Sequence, residues 1–331
     1  MMDRPSPDPS DPRSGTTRKL LLIGGLSALL VLVHGVAEAE TYRTVSLAEK
    51  IYGRYYPLVQ GLYASLWKLA LLGAVALPFQ WLLPAVRRRP KFMTYEFWLD
   101  LLYWYQGIWL SLLSFFVAVN WLVAAVYGKS GPYFPALAAI PFWAQVVLAV
   151  WAYDMIVYWR HRLEHTLAPL WAFHAVHHTT EQVDFLTTTR VHPFELFLGA
   201  FLNALVSRLG LSPAAASLGF AIYLYFNYFI HTNVRLRFPG FLKFVFVSPF
   251  MHQWHHAKDE EAMGKNLGVV FAWNDWLFGT AYHPKHYPTE FGLSVPEPER
   301  VGQSYLRHLV YPLQFAWARA AGGRAPRAVQ A

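Results

Sequence analysis

Long apolar segments divide this chain, and they restrict its fold more than any other feature of the sequence. A run of about 20 apolar residues is long enough to cross the hydrocarbon core of a bilayer as a helix. Within a bilayer only helices and closed barrels satisfy every backbone hydrogen bond. The pattern therefore predicts an all-α, polytopic integral membrane protein with about four transmembrane helices. The four segments are residues 20–37, 58–86, 97–127 and 135–159.

The composition supports a membrane protein and excludes several kinds of site. Of the 331 residues 55% are hydrophobic and only 15% are charged, whereas soluble domains carry about 25% charged residues. No cysteine is present, so disulfides, thiolate zinc sites and iron–sulfur clusters are excluded. The formal net charge is +8, but the basic residues adjoin apolar segments. We therefore expect contact with an anionic lipid surface and no nucleic-acid partner.

The N-terminal region allows two interpretations. Residues 1–18 are rich in Pro, Ser, Asp and Arg, which is typical of a disordered tail. Residues 20–37 have basic residues before them and small residues at Ala37 and Ala39, as in a cleaved signal peptide. The length of this segment favours a retained transmembrane helix, so we assign residues 19–150 to transmembrane helices.

Basic clusters predict the orientation of the chain. Lys and Arg are enriched on the cytoplasmic side of membrane helices. The tail before residue 20, the arginines at 87–89 and the Arg160-His161-Arg162 sequence all lie on one side if the N-terminus is cytoplasmic. We therefore predict that the N-terminus and a histidine-rich site are cytoplasmic.

The second half of the chain contains a further apolar segment, residues 193–230. It is interrupted at Ser207-Arg208 and again near Pro213, which predicts a membrane-inserted hairpin of two helices. We assign it to a catalytic region, residues 151–290. Residues 291–331 form a C-terminal tail with an amphipathic helix.

Histidine motifs are the features that indicate chemistry. On a helix, positions i, i+3 and i+4 share one face, so each motif is predicted to direct two or three imidazoles towards one point. Eight imidazoles exceed the ligands that one metal ion takes, which indicates either two metal ions or a surplus of histidines. The motifs are HxxxH (His161, His165), HxxHH (His174, His177, His178) and a second HxxHH (His252, His255, His256).

The ligand type narrows the metal to iron or zinc. Imidazole suits iron, zinc and copper, and no thiolate is available. A zinc hydrolase uses three protein ligands, and the HExxH signature is absent, because Glu164 in the His161–His165 motif has the wrong position. A membrane zinc hydrolase and a non-enzymatic metal-binding membrane protein remain alternatives to a di-metal oxidase. Metal-bound histidines commonly donate their second N–H group to a carboxylate, which makes Asp154, Glu164, Asp259 and Asp275 candidates.

The motifs together resemble the fatty acid hydroxylase and sterol desaturase superfamily, whose members are membrane di-iron oxygenases. The similarity extends over about residues 151–280. It rests on DMIVYWRHRLEH (154–165), LWAFHAVHH (170–178), RVHPFE (190–195), HTN (231–233), PFMHQWHH (249–256), Asn266 and NDWLFGT (274–280).

The resemblance implies a site as well as a fold. A cytoplasmic helical cap would hold two iron ions. His192 would be a ligand or a substrate-side residue, and Asp154, Glu195 and Asp275 would orient the ligands. Some members have a second histidine where this chain has Arg235. The implied ligands are His161, His165, His174, His177, His178, His231, His252, His255 and His256.

The function implied is O2-dependent oxidation of a lipid-like substrate. Metal ions can remove hydrogen from an unactivated C–H bond, which no side chain does alone. We expect a hydroxylase or desaturase for a sterol, an acyl lipid or an ether lipid, with O2 as co-substrate. The sequence contains no flavin or haem motif, so an external cytochrome or ferredoxin is expected to supply electrons.

Overall fold

Helices make up the regular structure of the residues described, and no strand occurs among them. The computed structural model describes residues 91–110, 132–294 and 301–320, with individual positions between 66 and 86 and between 122 and 128. The chain divides into two compact units, Met1–Leu71 and Leu72–Ala331, and everything that follows concerns the second. The all-α class is confirmed. The predicted tail and the apolar segment 20–37 lie outside the described residues.

Nine helices are numbered here in chain order. They are α1 (Tyr95–Leu110), α2 (Phe142–Thr166), α3 (Ala168–His174), α4 (Pro193–Arg208), α5 (Pro213–Ile230), α6 (Leu242–Val245), α7 (Pro249–His255), α8 (Trp273–Phe278) and α9 (Tyr305–Ala320). Short 3-10 turns include His177–Thr179 and Phe185–Thr189. The apolar segment 193–230 forms two helices, α4 and α5, as predicted.

Two of the described helices, α2 and α5, are long and apolar enough to cross a membrane. Length and composition are the basis for that statement. The predicted total of four crossings and the cytoplasmic position of the histidines stay predictions, as does the membrane insertion of the α4–α5 hairpin.

Helices α4, α5 and α7 begin with the same local arrangement. A capping side chain accepts a hydrogen bond from a backbone N–H of the first turn, and proline follows directly. Proline suits this position because its fixed φ is helical and its missing N–H would have no partner there. The capping residues are His192, Ser212 and Ser248.

Helix α5 packs closely against α2 at a glycine. A Cβ atom at Gly219 would lie 2.5 Å from the Cβ of Ala149, which is closer than two non-bonded carbon atoms can approach. Small residues allow two helix backbones to come this near. Side chains from α2, α5, α7 and the segment 269–272 then form one core that includes Val157, Met251 and Val270.

A buried carboxylate on α2 fixes the segment that precedes α8. Asp154 accepts hydrogen bonds from the backbone N–H groups of Val269, Val270 and Phe271 and from the Nδ2 of Asn274, at 2.7–3.2 Å. The prediction that Asp154 accepts a histidine N–H is therefore wrong. Four donors from residues 269–274 occupy this carboxylate, and it makes no hydrogen bond to an imidazole.

Asp275 has the same role on the other side of that segment. Its carboxylate accepts the N–H groups of Leu267 and Gly268 and the hydroxyl of Thr280, at 2.7–3.0 Å. Burial raises the pKa of Asp275 to about 6, although these donors oppose the rise. It too does not contact an imidazole, so this part of the sequence prediction is also corrected.

We expect Asp154→Asn to destabilise the fold by about 3 kcal/mol, because the hydrogen bonds of a buried charged acceptor are lost and an amide N–H group then faces other donors. The unfolding temperature in detergent, followed by circular dichroism, should fall by several degrees. Asp259→Asn is the matched control, since Asp259 is exposed. Equal unfolding temperatures for the two variants would contradict this assignment.

Candidate metal centre

The nine histidines implied as ligands come together in two groups. Within each group one nitrogen of every ring lies within 4.8 Å of those of the other rings. All nine side chains are buried, with at most 7% of their surface exposed. Group 1 contains His161, His165, His174, His178 and His255; group 2 contains His177, His231, His252 and His256.

Each HxxHH motif contributes to both groups, which corrects the prediction that a motif points at one place. His174 and His178 belong to group 1, whereas His177 belongs to group 2. Consecutive residues in a helix point about 100° apart, so adjacent histidines cannot meet at one ion, while residues four apart can. The first motif is also not one regular helix, because α3 ends at His174 and a 3-10 turn follows.

The second HxxHH motif divides in the same way. His252 and His256, four residues apart, join group 2, and His255 between them joins group 1. His161 and His165 on α2 are likewise four apart and share group 1. Each pair of histidines four residues apart therefore belongs to a single group. His177 and His255, the middle histidines of the two HxxHH motifs, belong to the group that the rest of their own motif does not join.

Hydrogen bonds outside the groups fix the tautomer of five rings. A carbonyl can only accept, so an Nδ1 atom that contacts one carries the proton, and Nε2 then presents a lone pair. The acceptors are backbone carbonyls in four cases and a carboxylate in the fifth. The pairs are His161 with Leu267 (2.9 Å), His255 with Lys265 (2.8 Å), His177 with Arg190 (3.2 Å), His231 with Asn227 (2.7 Å) and His174 with Glu195 (2.8 Å).

The inner nitrogens of group 1 have no hydrogen-bond partner among the described residues. This holds for the Nε2 atoms of His161, His174, His178 and His255, all of them buried. A buried acceptor without a partner costs roughly 1–3 kcal/mol. A cation at the centre of the group would satisfy several lone pairs at once.

In group 2 the inner nitrogens face each other directly. The Nε2 of His231 lies 2.8 Å from that of His252 and 3.2 Å from that of His177. The Nδ1 protons of His177 and His231 are already donated elsewhere, so the contact between these two rings brings two lone pairs together. That arrangement is repulsive without a cation between the rings. Both groups therefore fit metal ions bound by imidazole.

The histidines outside the membrane-crossing candidates are also in the correct protonation state for metal binding. Burial lowers the pKa of His255 to about 4, with the Lys265 carbonyl acting in the opposite direction. Burial likewise lowers the pKa of His231 to about 3. Burial, together with neighbouring histidines, holds the pKa values of His177 and His256 well below 6.5. Neutral imidazoles are the form that binds metal.

Glu195 contacts one of the clustered histidines. Its Oε1 accepts the Nδ1 proton of His174 at 2.8 Å, and its Oε2 accepts the backbone N–H of His192 at 3.3 Å. Glu164 is also buried and lies 3.7 Å from the same Nδ1. Asp259 is exposed. Of the carboxylates considered in the sequence, Glu195 is thus the one hydrogen-bonded to a clustered histidine.

His192 lies outside both groups. Its Nδ1 accepts the backbone N–H of Phe194 at 3.1 Å as the cap of α4, and its Nε2 contacts the carbonyl of Leu309 at 3.4 Å. Both ring nitrogens are thus engaged, and the geometry does not support ligation. A role near the substrate stays a prediction.

Sequence reasoning missed the network that holds His177. The carbonyl oxygen of Arg190 accepts the His177 proton, and the Arg190 guanidinium binds Asp100 of α1 at 2.5 Å. Lys91 binds the same carboxylate at 2.6 Å. A charged residue in an apolar segment requires partners, so Asp100 was the signal that could have indicated this network.

We expect His192→Asn to keep its full metal content, because asparagine also caps helices. His231→Asn should lose metal, since it removes an imidazole from group 2. Metal per chain, measured by plasma mass spectrometry on purified protein, separates the two outcomes. Loss of metal in His192→Asn with an unchanged unfolding temperature would show that His192 is a ligand.

Glu195→Ala should weaken metal binding about 10–100-fold, because the ring of His174 loses the acceptor that orients it. Glu195→Gln keeps one acceptor oxygen and should have an intermediate effect. Competition with a chelator at fixed pH measures the affinity. Equal affinities for Glu195→Ala and wild type would contradict this orienting role.

Comparison with known proteins identifies the region that contains both groups. Residues 146–280 match the family model described as fatty acid hydroxylase, and all nine clustered histidines lie within this range. No solved structure matches the chain significantly.

Curated relatives also match part of the chain. The chain is 28% identical to the ornithine lipid hydroxylase OlsE of Rhizobium tropici over 62% of its own length and 65% of the relative's. It is 30% identical to an alkylglycerol monooxygenase of Danio rerio over 45% and 33% of the two chains. It is 32% identical to a very-long-chain aldehyde decarbonylase of Oryza sativa subsp. japonica over 43% and 55%. These matches cover less than two thirds of each relative. The family model and these relatives support the resemblance to the fatty acid hydroxylase superfamily that the histidine motifs indicated.

Proposed function

We propose that this protein is a di-iron enzyme that uses O2 to hydroxylate or desaturate a lipid-like substrate. The observation that carries the proposal is the pair of buried imidazole groups, with five and four members. The nine histidines are proposed as the metal ligands, with group 1 holding one ion and group 2 the other. Residues 151–290 would then form the catalytic region.

The number of imidazoles favours iron over a hydrolytic zinc ion. A catalytic zinc site uses three protein ligands and an open position, so a zinc hydrolase would leave most of these histidines without a role. Two iron ions in a histidine-rich site account for all nine. When bound, the irons would supply the redox chemistry with O2 that protein side chains lack.

The protein chain orients the imidazole rings and excludes water from the site. The outer hydrogen bonds hold the five rings in fixed orientations, and the apolar residues around them, such as Met251 and Trp254, are almost fully buried. A dry site limits side reactions of a strong oxidant. No described side chain beyond the histidines is assigned a catalytic role.

A lipid substrate follows from the surroundings of the site and from the relatives. Helices α2 and α5, which carry or adjoin clustered histidines, are the two membrane-crossing candidates. The relatives' names include an ornithine lipid, an alkylglycerol and a very-long-chain aldehyde. Two of these names describe a hydroxylase or a monooxygenase, so we favour hydroxylation of an acyl or ether lipid over desaturation.

The reaction requires electrons from outside the chain. Hydroxylation of a C–H bond combines the substrate with O2, two electrons and two protons, and it yields the alcohol and water. We propose that a cytochrome or ferredoxin supplies these electrons. We also propose a multi-pass arrangement in the membrane with the site on the cytoplasmic side.

The decisive experiment measures metal content and O2 consumption on protein purified anaerobically in detergent. We expect about two irons per chain and O2 uptake after chemical reduction. His177→Ala should lose iron, and its O2 uptake should fall at least about ten-fold, more than the loss of an outer partner alone would cause. His286→Ala is the matched control, because His286 lies outside both groups.

Two outcomes would reject the proposal. Tightly bound zinc in the active protein, with no O2 uptake after reconstitution with iron, would favour a hydrolase. Reversible metal binding without any consumption of O2 would favour a metal-binding protein that is not an enzyme.

A further inference from the structure

A cluster of basic side chains lies on the segments that follow α5 and α8. Arg235 and Lys285 are exposed, and the guanidinium of Arg235 lies 4.8 Å from the ring centre of Tyr287. Arg237 lies 5.6 Å from the same ring and donates hydrogen bonds to the carbonyls of Pro284 and Lys285. We call Arg235, Arg237, Lys243 and Lys285 the basic face.

The positive charge of the basic face has no local compensation from the described residues. Burial raises the pKa of Tyr287, and the charged groups that oppose this rise are Arg237 and Arg235. Burial lowers the pKa of His283, and Arg237 and Lys243 lower it further. No carboxylate is among the groups that act on these two residues. A region of one sign attracts partners of the opposite sign.

The adjoining sequence adds further positive charge. The backbone N–H of Arg235 donates to the carbonyl of Leu83 at 2.8 Å, and that of Ala85 donates to Asn233 at 3.3 Å. Two residues after Ala85 the sequence continues with three arginines, 87–89.

The basic face packs against α7, the helix that carries His252 of group 2. The rings of Tyr287 and Phe250 are 4.8 Å apart, and Arg237 lies 3.8 Å from the centre of the Phe250 ring. Phe250 is fully buried and lies on α7, two residues before the clustered His252. Arg235 likewise follows the clustered His231 by four residues, so short stretches of backbone join the basic face to two histidines of group 2.

The backbone segments that carry the basic face are held in place before any partner binds. Arg237 bridges the segment 233–237 to the carbonyls at 284 and 285, and Trp254 of α7 donates to the carbonyl of His286 at 3.2 Å. A surface fixed in this way loses little conformational freedom on binding, which favours affinity.

We propose that the basic face is the docking surface for an acidic one-electron carrier protein that reduces the metal site through group 2. The inference rests on the proposed function, because it needs a reducible metal. Each docking event oxidises the carrier by one electron and reduces the metal site by one. Two events supply the two electrons that hydroxylation consumes.

The test compares two reductants on the iron-loaded full chain. The protein reductant is a reduced plant-type [2Fe–2S] ferredoxin, a small acidic carrier whose oxidation is visible in stopped-flow absorbance. The small reductant is photoreduced 5-deazariboflavin, which is neutral and needs no docking surface. The variants are Arg235→Glu/Lys285→Glu and, to guard against misfolding, Lys285→Glu alone. The control is Arg307→Glu/Arg319→Glu on α9, which changes the net charge equally.

We expect the double variant to lower the second-order rate constant with ferredoxin about ten-fold and to flatten its dependence on ionic strength. The Lys285 variant should show a smaller decrease of the same kind. Reduction by deazariboflavin should keep the wild-type rate in both variants, and the control should behave as wild type with both reductants.

Three results would overturn the proposal. If ferredoxin reduces the basic-face variants at the wild-type rate, the carrier docks elsewhere and the basic face is left to another anion, such as a lipid headgroup. If deazariboflavin reduces the wild-type site but ferredoxin does not, an acidic carrier does not dock there. If neither reductant reduces the iron-loaded protein, the proposed function itself fails.

Discussion

The convergence of neutral imidazole lone pairs is the constraint on which the rest of this structure depends. In group 2 the Nε2 atoms of His231 and His177 lie 3.2 Å apart, and in group 1 the inner nitrogens have no hydrogen-bond partner among the described residues. Each unsatisfied buried acceptor costs about 1–3 kcal/mol. The surrounding scaffold must therefore hold these rings in an arrangement that is unfavourable by itself and that metal ions would stabilise.

The scaffold holds the rings through chains of contacts. In each chain a buried charged side chain binds a nearby residue, and the backbone carbonyl of that residue accepts the proton of an imidazole. Asp275 holds the N–H of Leu267, whose carbonyl accepts the proton of His161. Asp100 binds the guanidinium of Arg190, whose carbonyl accepts the proton of His177. Buried charges are costly unless they are paired and hydrogen-bonded. Here each one fixes a backbone carbonyl, and that carbonyl sets the direction of a ring. Glu195 is the exception, because it contacts His174 directly.

The spacing of the histidines was sufficient to locate the site but not to assign each histidine to one of the two groups. Residues four apart share a helix face, so the pairs His161–His165, His174–His178 and His252–His256 could be predicted to act together, and they do. The assignment of His177 and His255 to the opposite groups follows from the 100° rotation between neighbouring residues and from tertiary packing, which the motif alone does not contain. The role of Asp154 could not be predicted, because its partners are backbone N–H groups more than 100 residues away.

The unequal size of the two groups assigns them different positions in the proposed reaction. An ion in group 1 would meet five imidazoles, and an ion in group 2 would meet four, so group 2 leaves more coordination positions open for other ligands. Group 2 also contains His231 and His252, which are joined to the basic face by short stretches of backbone. Electrons and small ligands would thus reach the same, less saturated centre. Group 1 is oriented by Glu195, Leu267 and Lys265. Each HxxHH motif places histidines in both groups, through His177 in the first motif and His255 in the second. Displacement of either motif would therefore disturb both centres.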